Sequence, residues 1–408
     1  MSNAIIDERI NSVIRFFLCV LIFWLPYSPA VIESCVVICL ILWILKRGIT
    51  RRLNLPVTFL NKPIFFFLIA CILSALSSVF WWQSFPNFLT KTLEWFIVYF
   101  LVLEVITEKK HIQLILGIFL FTAFSTVLDS LIQYHITNKD IFLGHTIIPG
   151  SRATAGFKTA NGLGAYLTLV VPFVFALIFL RKNFWYRLLR IVLFSIGVWS
   201  LAVTFSHGAW AAVFLAIVFF MLFLLFHKQP RQFYFLLTFF FILFIVLVYF
   251  GFILAGQLDL ESLRYSTASW RLNVWRDTLG MIKDSPLLGH GINTFMALFE
   301  IYRTDTGGSP TYAHNSYLQL TAETGLIGLT SFLWILVALF RWVFACLKNY
   351  DLRNDSFVLL IMGLLSGIGA FLFHSFFDNN FYSLQLSMYL WFMIGILVVM
   401  IKSVNIEV

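Results

Sequence analysis

Charged residues are scarce in this sequence, and their scarcity argues against an ordinary soluble protein. Only 12% of the 408 residues are Asp, Glu, Lys or Arg, whereas 61% are hydrophobic. A typical soluble domain carries about 25% charged residues, roughly twice the share found here. The composition therefore predicts an integral membrane protein.

Several other patterns are missing. Apolar runs such as FYFLLTFFFILFIVLVYFGFILAG do not alternate between apolar and polar residues, which favours helices over a transmembrane β-barrel. The five cysteines lie in apolar runs without metal-site spacing, so we expect no disulfides. No glycine-rich loop ending in Lys-Ser or Lys-Thr is present, and no HExxH motif, which argues against an ATP-driven pump or an intramembrane metalloprotease. We predict no metal site and no cofactor.

The apolar runs predict an all-α, polytopic membrane protein with about twelve spans, because each run can cross about 30 Å of hydrocarbon as a helix. The predicted spans are 13–26, 29–45, 63–81, 92–106, 112–134, 161–180, 191–206, 208–226, 233–255, 321–346, 356–376 and 383–401. Nine spans thus fall within 1–255, a long outer segment covers 256–320, and three spans fall within 321–408.

Basic residues between the spans predict the orientation of the chain. Loops such as KRGITRR, EKK, RKNFWYRLLR, HKQPR and KNYDLR fall on one side, which is expected to be cytoplasmic together with both termini. The outer segments 135–160 and 256–320 are also basic, although long outer segments escape the orientation rule. The net charge of +9 is therefore distributed as in a membrane protein, and we expect an anionic partner at the outer face rather than nucleic acid.

The stretch 267–286, TASWRLNVWRDTLGMIKDSP, has the period of an amphipathic helix at a membrane surface. Its predicted apolar stripe is Leu272, Val274, Trp275, Leu279, Met281 and Ile282, and its predicted polar face is Asn273, Arg276, Asp277, Gly280, Lys283 and Asp284. Arg271 projects from the middle of the apolar stripe. Either its side chain snorkels towards water, or its planar guanidinium turns inward to bind an oxyanion such as phosphate.

The stretch AHNSYLQLTAETGLIGL places His314 immediately before a predicted membrane helix. Ser316 and Gln319 fit an S-x-x-Q capping box, so the helix is expected to begin at Asn315 or Ser316. The positive end of the helix dipole would keep the imidazole neutral, and the backbone N–H groups there can hold an anion. The residues alone leave two interpretations open, a capping or interfacial histidine and a catalytic base.

Three other outer positions carry polar residues of interest. The segment 150–166, GSRATAGFKTANGLGAY, contains Arg152 and Lys158 among small residues that let a ligand or lipid headgroup approach the backbone. It is equally compatible with an ordinary polar loop. His207 in FSHGAW and Asp378 in HSFFDNNF lie at turns between spans, where a structural histidine and a helix-capping carboxylate are the simpler interpretations.

The sequence resembles the O-antigen ligase family, whose superfamily also holds O-antigen polymerases and protein O-oligosaccharyltransferases. The resemblance is carried by His314 and Asn315, followed by nine residues, Gly325, two residues and Gly328. RLNVWRDTLGMIKDSPLLGHGINTF and RATAGFKTANGLGAYL resemble two further regions of the family. We expect the two glycines to serve close helix packing. The motif indicates the superfamily more strongly than it separates a ligase from a polymerase.

The resemblance implies a GT-C-type glycosyltransferase in the bacterial inner membrane with its active site on the periplasmic face. The donor would be a glycan on undecaprenyl diphosphate, and the acceptor a sugar hydroxyl of lipid A–core. His314 would be the base and Arg271 would bind the diphosphate, in an inverting reaction that needs no metal ion.

The chain departs from the family at His207, where the resemblance implies an arginine that makes a second contact with the diphosphate. Arg152 or Arg264 is expected to supply that contact instead. Asn315, next to the base, is also expected to contact substrate. The oligomeric state is not predicted.

Three alternatives stay open. An O-antigen polymerase would use the same donor and a second lipid-linked glycan as acceptor. A protein O-oligosaccharyltransferase is less expected, because its usual large outer C-terminal region has no counterpart after the last predicted span. A solute transporter or channel would place polar residues along a path at the middle of the membrane, whereas the candidate groups here lie in outer loops.

Overall fold

The computed structural model describes residues 3–51, 54–180, 183–226, 231, 234, 238, 267–304, 312–348 and 356–403. These residues are predominantly helical, and their only β-type pairing is an isolated bridge between Lys139 and Thr146. The all-α, polytopic class predicted from the sequence is confirmed.

The helices follow one another along the chain and are joined mostly by short loops. They are α1 (Asn3–Trp24), α2 (Pro29–Thr50), α3 (Asn61–Ser77), α4 (Trp81–Asn87), α5 (Leu93–Val105), α6 (Lys109–Ile132), α7 (Ala160–Leu177), α8 (Phe184–Ala202), α9 (His207–Phe226), α10 (Thr267–Asp284), α11 (Phe295–Tyr302), α12 (Ser316–Leu347), α13 (Ser356–His374) and α14 (Leu384–Ser403). Single π-helical turns, Phe88–Thr92 and Gln133–Thr137, precede α5 and extend α6, and a 3₁₀ turn, Asn380–Tyr382, precedes α14.

In the described part of the chain, eight helices are long and apolar enough to cross a membrane. They are α2, α6 with its π-helical turn, α7, α8, α9, α12, α13 and α14. The spans predicted near α1, α3 and α5 fall on helices that are more charged or shorter, with 17 residues in α3 and 13 in α5. The span predicted at 233–255 lies, apart from two residues, outside the described residues, so the count of twelve stays a prediction.

Helices α7, α13 and α14 form the centre of the bundle. In α14, 94% of the residues in the apolar stretch are buried inside the protein. Glycines allow α13 to approach α7 closely. A Cβ atom on Gly367 would lie 2.6 Å from the carbonyl oxygen of Leu169, and one on Gly363 would lie 2.5 Å from the side chain of Ala176. Backbones that pack this closely give a rigid base for the loops that connect these helices.

Helix α12 is interrupted at Gly325, whose φ of 67° and ψ of −175° are not helical. The segment after α10 pairs with the backbone at this break. The N–H groups of 290–291 donate to the carbonyl oxygens of 322–323 at 3.0 and 2.9 Å, and those of 326–327 donate to the carbonyl oxygens of 286–287 at 2.8 and 3.3 Å. The break thereby ties the segment that follows α10 to the first turns of α12, an arrangement that helix packing alone does not predict.

Replacing Gly325 with alanine should destabilise the protein strongly. A Cβ atom there would lie 2.1 Å from the carbonyl oxygen of Leu287, and the backbone conformation itself costs a non-glycine residue about 1–3 kcal/mol. We expect a lower unfolding temperature in detergent and a lower yield of folded protein. Gly117→Ala in α6 is the matched control, because no atom lies within 4 Å of its Cβ position and it should be tolerated.

Helix α10 forms where it was predicted. In its predicted apolar stripe, Val274 and Met281 are buried in the protein, whereas Leu272 and Leu279 are 41% and 54% exposed, as a helix at a membrane surface allows. Asp277, predicted on the polar face, is buried, and its carboxylate accepts a hydrogen bond from the backbone N–H of residue 304 at 3.0 Å. The placement of Asp277 on a solvated face is therefore wrong.

Candidate active site

Four loops meet at one end of the bundle, and they carry three of the predicted site residues, Arg152, His314 and Asn315. The backbone N–H of Ala153, before α7, donates to the carbonyl of Val203, after α8, at 2.9 Å. The N–H of Ser316, at the start of α12, donates to the carbonyl of Ser375, after α13, at 2.8 Å. These contacts bring together segments that are distant in the sequence. The predicted ligand Arg264 lies outside the described residues.

Helix α12 begins at Ser316, as predicted, with Asn315 as its N-cap. The side-chain oxygen of Asn315 accepts hydrogen bonds from the backbone N–H groups of Tyr317 and Leu318 at 3.0 and 3.1 Å. The predicted capping box led by Ser316 is wrong, because the Ser316 hydroxyl donates instead to the carbonyl of Asp378 at 2.8 Å. The polar start of α12 is thus bound to the loop between α13 and α14.

His314 is held in an unusual conformation by residues of α10. Its φ of 47° is in the left-handed region, which non-glycine residues adopt rarely and mostly where the surrounding structure fixes them. The ring of Trp270 packs edge-on against the imidazole with centroids 5.2 Å apart. The indole N–H of Trp275 donates to the carbonyl of Ala313 at 2.9 Å. Helix α10 therefore sets the position of the histidine.

Asp378 is the partner of His314. Its Oδ1 lies 3.3 Å from the imidazole Nδ1, and it also accepts a hydrogen bond from the backbone N–H of Asn379 at 2.8 Å. Burial opposes ionisation of this carboxyl, but the contact with the imidazole of His314 and neighbouring positive charge outweigh burial and lower the pKa of Asp378 to about 2. A carboxylate at Nδ1 favours the tautomer with the proton on Nδ1, which makes Nε2 the basic nitrogen.

Asp378→Asn should reduce the free energy of unfolding at neutral pH by about 2 kcal/mol. The pKa of Asp378 in the folded state, about 2, lies below the ordinary 3.8, and each unit of this difference contributes about 1.4 kcal/mol. Because the folded-state pKa is depressed, this stabilisation is present above pH 3.8 and is lost as the pH falls to about 2. When unfolding is measured in detergent between pH 3.8 and about 2, the free energies of unfolding of the wild type and Asp378→Asn should become equal towards low pH. A constant difference would contradict the assignment.

Arg152 lies beside this carboxylate. Its guanidinium Nε–H donates to the carbonyl of Thr204 at 2.7 Å, and a second nitrogen hydrogen bonds to the side chain of Asn161. The pKa of Arg152 is lowered first by burial and further by the positive charge of Arg271, whereas Asp378 opposes the shift. The two guanidinium groups are therefore near enough to repel each other.

Arg271 has a buried donor without a partner. Its Nε is inaccessible to solvent and makes no hydrogen bond to any residue that the structure describes. An unsatisfied buried donor costs about 1–3 kcal/mol. An anion bound between Arg152 and Arg271 would satisfy this donor and relieve the repulsion between the two cations. The geometry favours the inward interpretation of Arg271 over snorkelling.

His207 begins α9 and is exposed, and its ring packs edge-on against Trp210 with centroids 5.1 Å apart. Its chain neighbours lie at the site, because the Ser206 hydroxyl is 3.4 Å from Nε2 of His374 and a Cβ atom on Gly208 would lie 3.3 Å from the His374 ring. In the described ranges no hydrogen bond or ion pair joins His207 itself to Arg152 or Arg271. Its role as a ligand stays a prediction.

His374 is the second histidine near the site, and sequence reasoning missed it. It is 1% exposed, with Nε2 3.4 Å from the Ser206 hydroxyl and Nδ1 3.0 Å from the side-chain nitrogen of Asn380. It also interacts electrostatically with Asp378. The signal for His374 was the run of polar side chains in HSFFDNNF between two apolar spans, where sequence reasoning had interpreted Asp378 as a helix cap.

A cavity of about 510 Å³ opens beside His314 and Asp378. Its wall includes two lysines, Lys91 from the π-helical turn before α5 and Lys158 from the loop before α7, together with several amides, hydroxyls and aromatic rings. The volume lies within the range of about 300–1,000 Å³ that is usual for small-molecule sites. A sugar has room here next to the imidazole.

One carboxylate that lines the cavity is already engaged by the protein. Glu323, which is 1% exposed, accepts hydrogen bonds from the backbone N–H groups of Asn293 and Phe295 at 2.7 and 3.3 Å. Within the described ranges, no three His, Cys, Asp or Glu side chains are grouped so as to hold a metal ion. The reactive groups of the site are thus an imidazole, its carboxylate partner and two guanidinium groups.

Residues 192–333 match the family model described as O-antigen ligase. The match runs from α8 into α12 and includes His207, Arg271 and His314, whereas Arg152 and Asp378 lie outside it. A search of the curated proteins gives no match. The match supports a likeness to the superfamily of ligases and polymerases and to its transferase activity, and the apolar helices support a multi-pass membrane protein. The resemblance predicted from the sequence is confirmed over residues 192–333, where this chain is similar to the O-antigen ligase family.

Proposed function

We propose that the protein is an O-antigen ligase. It transfers a glycan from undecaprenyl diphosphate to a sugar hydroxyl of lipid A–core, with inversion at the anomeric carbon and without a metal ion. The reaction takes place at the periplasmic face of the bacterial inner membrane, with both termini in the cytoplasm. The observation that carries the proposal is the His314–Asp378 pair, which lines a cavity and whose carboxylate interacts electrostatically with Arg152.

On the donor side, Arg271 and Arg152 bind the diphosphate. Each guanidinium presents planar N–H donors that match phosphate oxygens, and the unsatisfied Nε of Arg271 needs such a partner. Backbone N–H groups at the start of α12 add positive potential at the same end. The polyprenyl tail lies among the phenylalanine-rich spans.

On the acceptor side, His314 acts as the general base. Nε2 accepts the proton of the acceptor hydroxyl while the hydroxyl oxygen forms a bond to the anomeric carbon. The bond from that carbon to the diphosphate oxygen breaks, and its electron pair leaves with undecaprenyl diphosphate. Asp378 stabilises the imidazolium that results. The two arginines stabilise the charge on the leaving diphosphate, so no general acid is needed.

Deletion of the gene tests the acceptor. Lipopolysaccharide and lipid-linked glycans are extracted from the deletion strain and from the same strain complemented with the wild-type chain. A ligase defect leaves long glycans on undecaprenyl diphosphate and bare lipid A–core, and complementation restores the capped form. Complementation with His314→Ala is the matched negative control.

Other outcomes would replace this proposal. Single repeat units on lipid A–core would indicate an O-antigen polymerase, which uses the same donor chemistry and a second lipid-linked glycan as acceptor. Normal lipopolysaccharide with reduced protein glycosylation would indicate a protein O-oligosaccharyltransferase. Normal glycans of all classes would favour a transporter.

A further inference from the structure

Gln319 is a buried amide in the second turn of α12, with no exposed surface. Its oxygen accepts two hydrogen bonds, one from the backbone N–H of Ala313 at 3.3 Å and one from the side-chain amide of Asn379. Its nitrogen donates to a carboxylate oxygen of Glu323 at 3.3 Å. Both ends of the amide are therefore used.

The two groups bound to the Gln319 oxygen are the chain neighbours of the proposed base and its partner. Ala313 immediately precedes His314, and Asn379 immediately follows Asp378. The backbone N–H of Asn379 also donates to the Asp378 carboxylate at 2.8 Å. One oxygen atom thus connects the loop before α12 with the loop after α13.

Glu323 determines which way the amide points. Its carboxylate is fixed by the backbone N–H groups of Asn293 and Phe295, in the segment that pairs with the break in α12. A carboxylate only accepts hydrogen bonds, so it orders the Gln319 nitrogen towards itself and the Gln319 oxygen towards the two loops. Among side chains of this length, only glutamine presents both a donor and an acceptor in this way.

We propose that Gln319 is a positioning residue that keeps His314 in contact with Asp378 by bonding to the chain neighbour of each. It does not touch the reacting atoms, and it acts by fixing the two loops that carry the pair. Its effect on catalysis rests on the function proposed above, whereas its effect on the His314–Asp378 contact does not.

Three variants test this inference in the full-length, detergent-purified protein. Gln319→Leu removes both the donor and the acceptor, and Gln319→Glu keeps the size but loses the donor to Glu323. Thr321→Val is the matched control, because this buried neighbour bonds only to the carbonyl of Tyr317 within its own helix. Steady-state glycan transfer is measured against pH for each variant, and for Asp378→Asn alone and combined with Gln319→Leu.

A second readout needs no substrate. Diethyl pyrocarbonate modifies neutral imidazole, so the rate of modification of His314 against pH, followed by mass spectrometry of its peptide, reports how strongly the ring holds a proton. The charged groups around the ring are Asp378 and, through electrostatic interaction with that carboxylate, Arg152 and His374. Arg271 acts on Arg152.

For Gln319→Leu we expect kcat to fall about 100-fold, the loss typical of a misplacement of about 1 Å, with KM almost unchanged. The acidic limb of the rate profile and the modification profile should both move to lower pH, because an imidazole that loses its carboxylate neighbour holds its proton less tightly. Gln319→Glu should be impaired in the same direction. Gln319→Leu should add little to Asp378→Asn, since both act on one contact.

The inference is overturned if folded Gln319→Leu keeps the wild-type kcat and both profiles, or if its effect is fully additive with that of Asp378→Asn. If Gln319→Leu does not fold, Gln319→Glu becomes the test. The pH profile of His314 modification must then be shifted in Gln319→Glu, and an unshifted profile overturns the inference. A wild-type protein that transfers no glycan, but whose Gln319 variants shift that profile, would overturn the proposed function and leave the positioning role intact.

Discussion

His314→Ala should reduce glycan transfer by about 10²–10⁴-fold, the usual contribution of a positioned general base. The variant removes the only proposed acceptor for the hydroxyl proton, while the cap at Asn315 and the bond from Trp275 to the backbone of Ala313 stay in place. Folding in the membrane should therefore be preserved. Transfer is measured in membrane vesicles with lipid-linked glycan and lipid A–core, and expression is normalised by immunoblot.

The control for this variant is His145→Ala. His145 is 49% exposed and lies 3.7 Å from Asp140, away from the cavity lining, so its removal should leave transfer unchanged. If a well-expressed His314→Ala protein keeps full activity, the base assignment is wrong. Equal losses in the two variants would indicate a general effect on stability.

Arg271→Lys should also lose activity, by about 10²–10³-fold, which is the loss seen when one donor to a developing oxyanion is removed. Lysine keeps the charge but lacks the planar fork, and its ammonium cannot place two donors on one phosphate. The defect should therefore be largely in kcat, because the leaving diphosphate gains charge in the transition state. Transfer kinetics at varied donor concentration separate kcat from KM.

Arg276→Lys is the matched control for this substitution. Arg276 lies on the same helix, α10, but is exposed to solvent, so exchange of its guanidinium should have no measurable effect. Wild-type rates in Arg271→Lys would remove Arg271 from the site. A defect of similar size in both variants would place the cause in α10 as a whole.

Local sequence signals predicted those parts of the site that depend on local structure. The start of α12 follows from the Asn–Ser pair at 315–316, whose side chains favour a helix N-terminus, and it was predicted within one residue. Arg271 was singled out because a charge interrupts an apolar stripe, and the structure does place its Nε in a buried position. The apolar runs were sufficient for the all-α class, since membrane helices need only length and composition.

The parts that were missed depend on which loops meet. Asp378 is 64 residues from His314 in the sequence, and its turn reads equally well as a helix cap. Asp277 was predicted on the polar face of α10 but is buried, because its carboxylate accepts hydrogen bonds from the backbone N–H and the hydroxyl of Thr304, which a helical wheel does not include. Gln319 was taken as half of a capping box, although its oxygen connects two loops.

The break in α12 also has a consequence for how the protein assembles. A continuous helix satisfies all its own peptide groups and can enter a bilayer alone, but at 322–327 four of these groups bind to the segment after α10. Each such group left unpaired in hydrocarbon would cost several kcal/mol. The first turns of α12 therefore reach their final form only once that segment has docked. Formation of the site is therefore coupled to the docking of that segment.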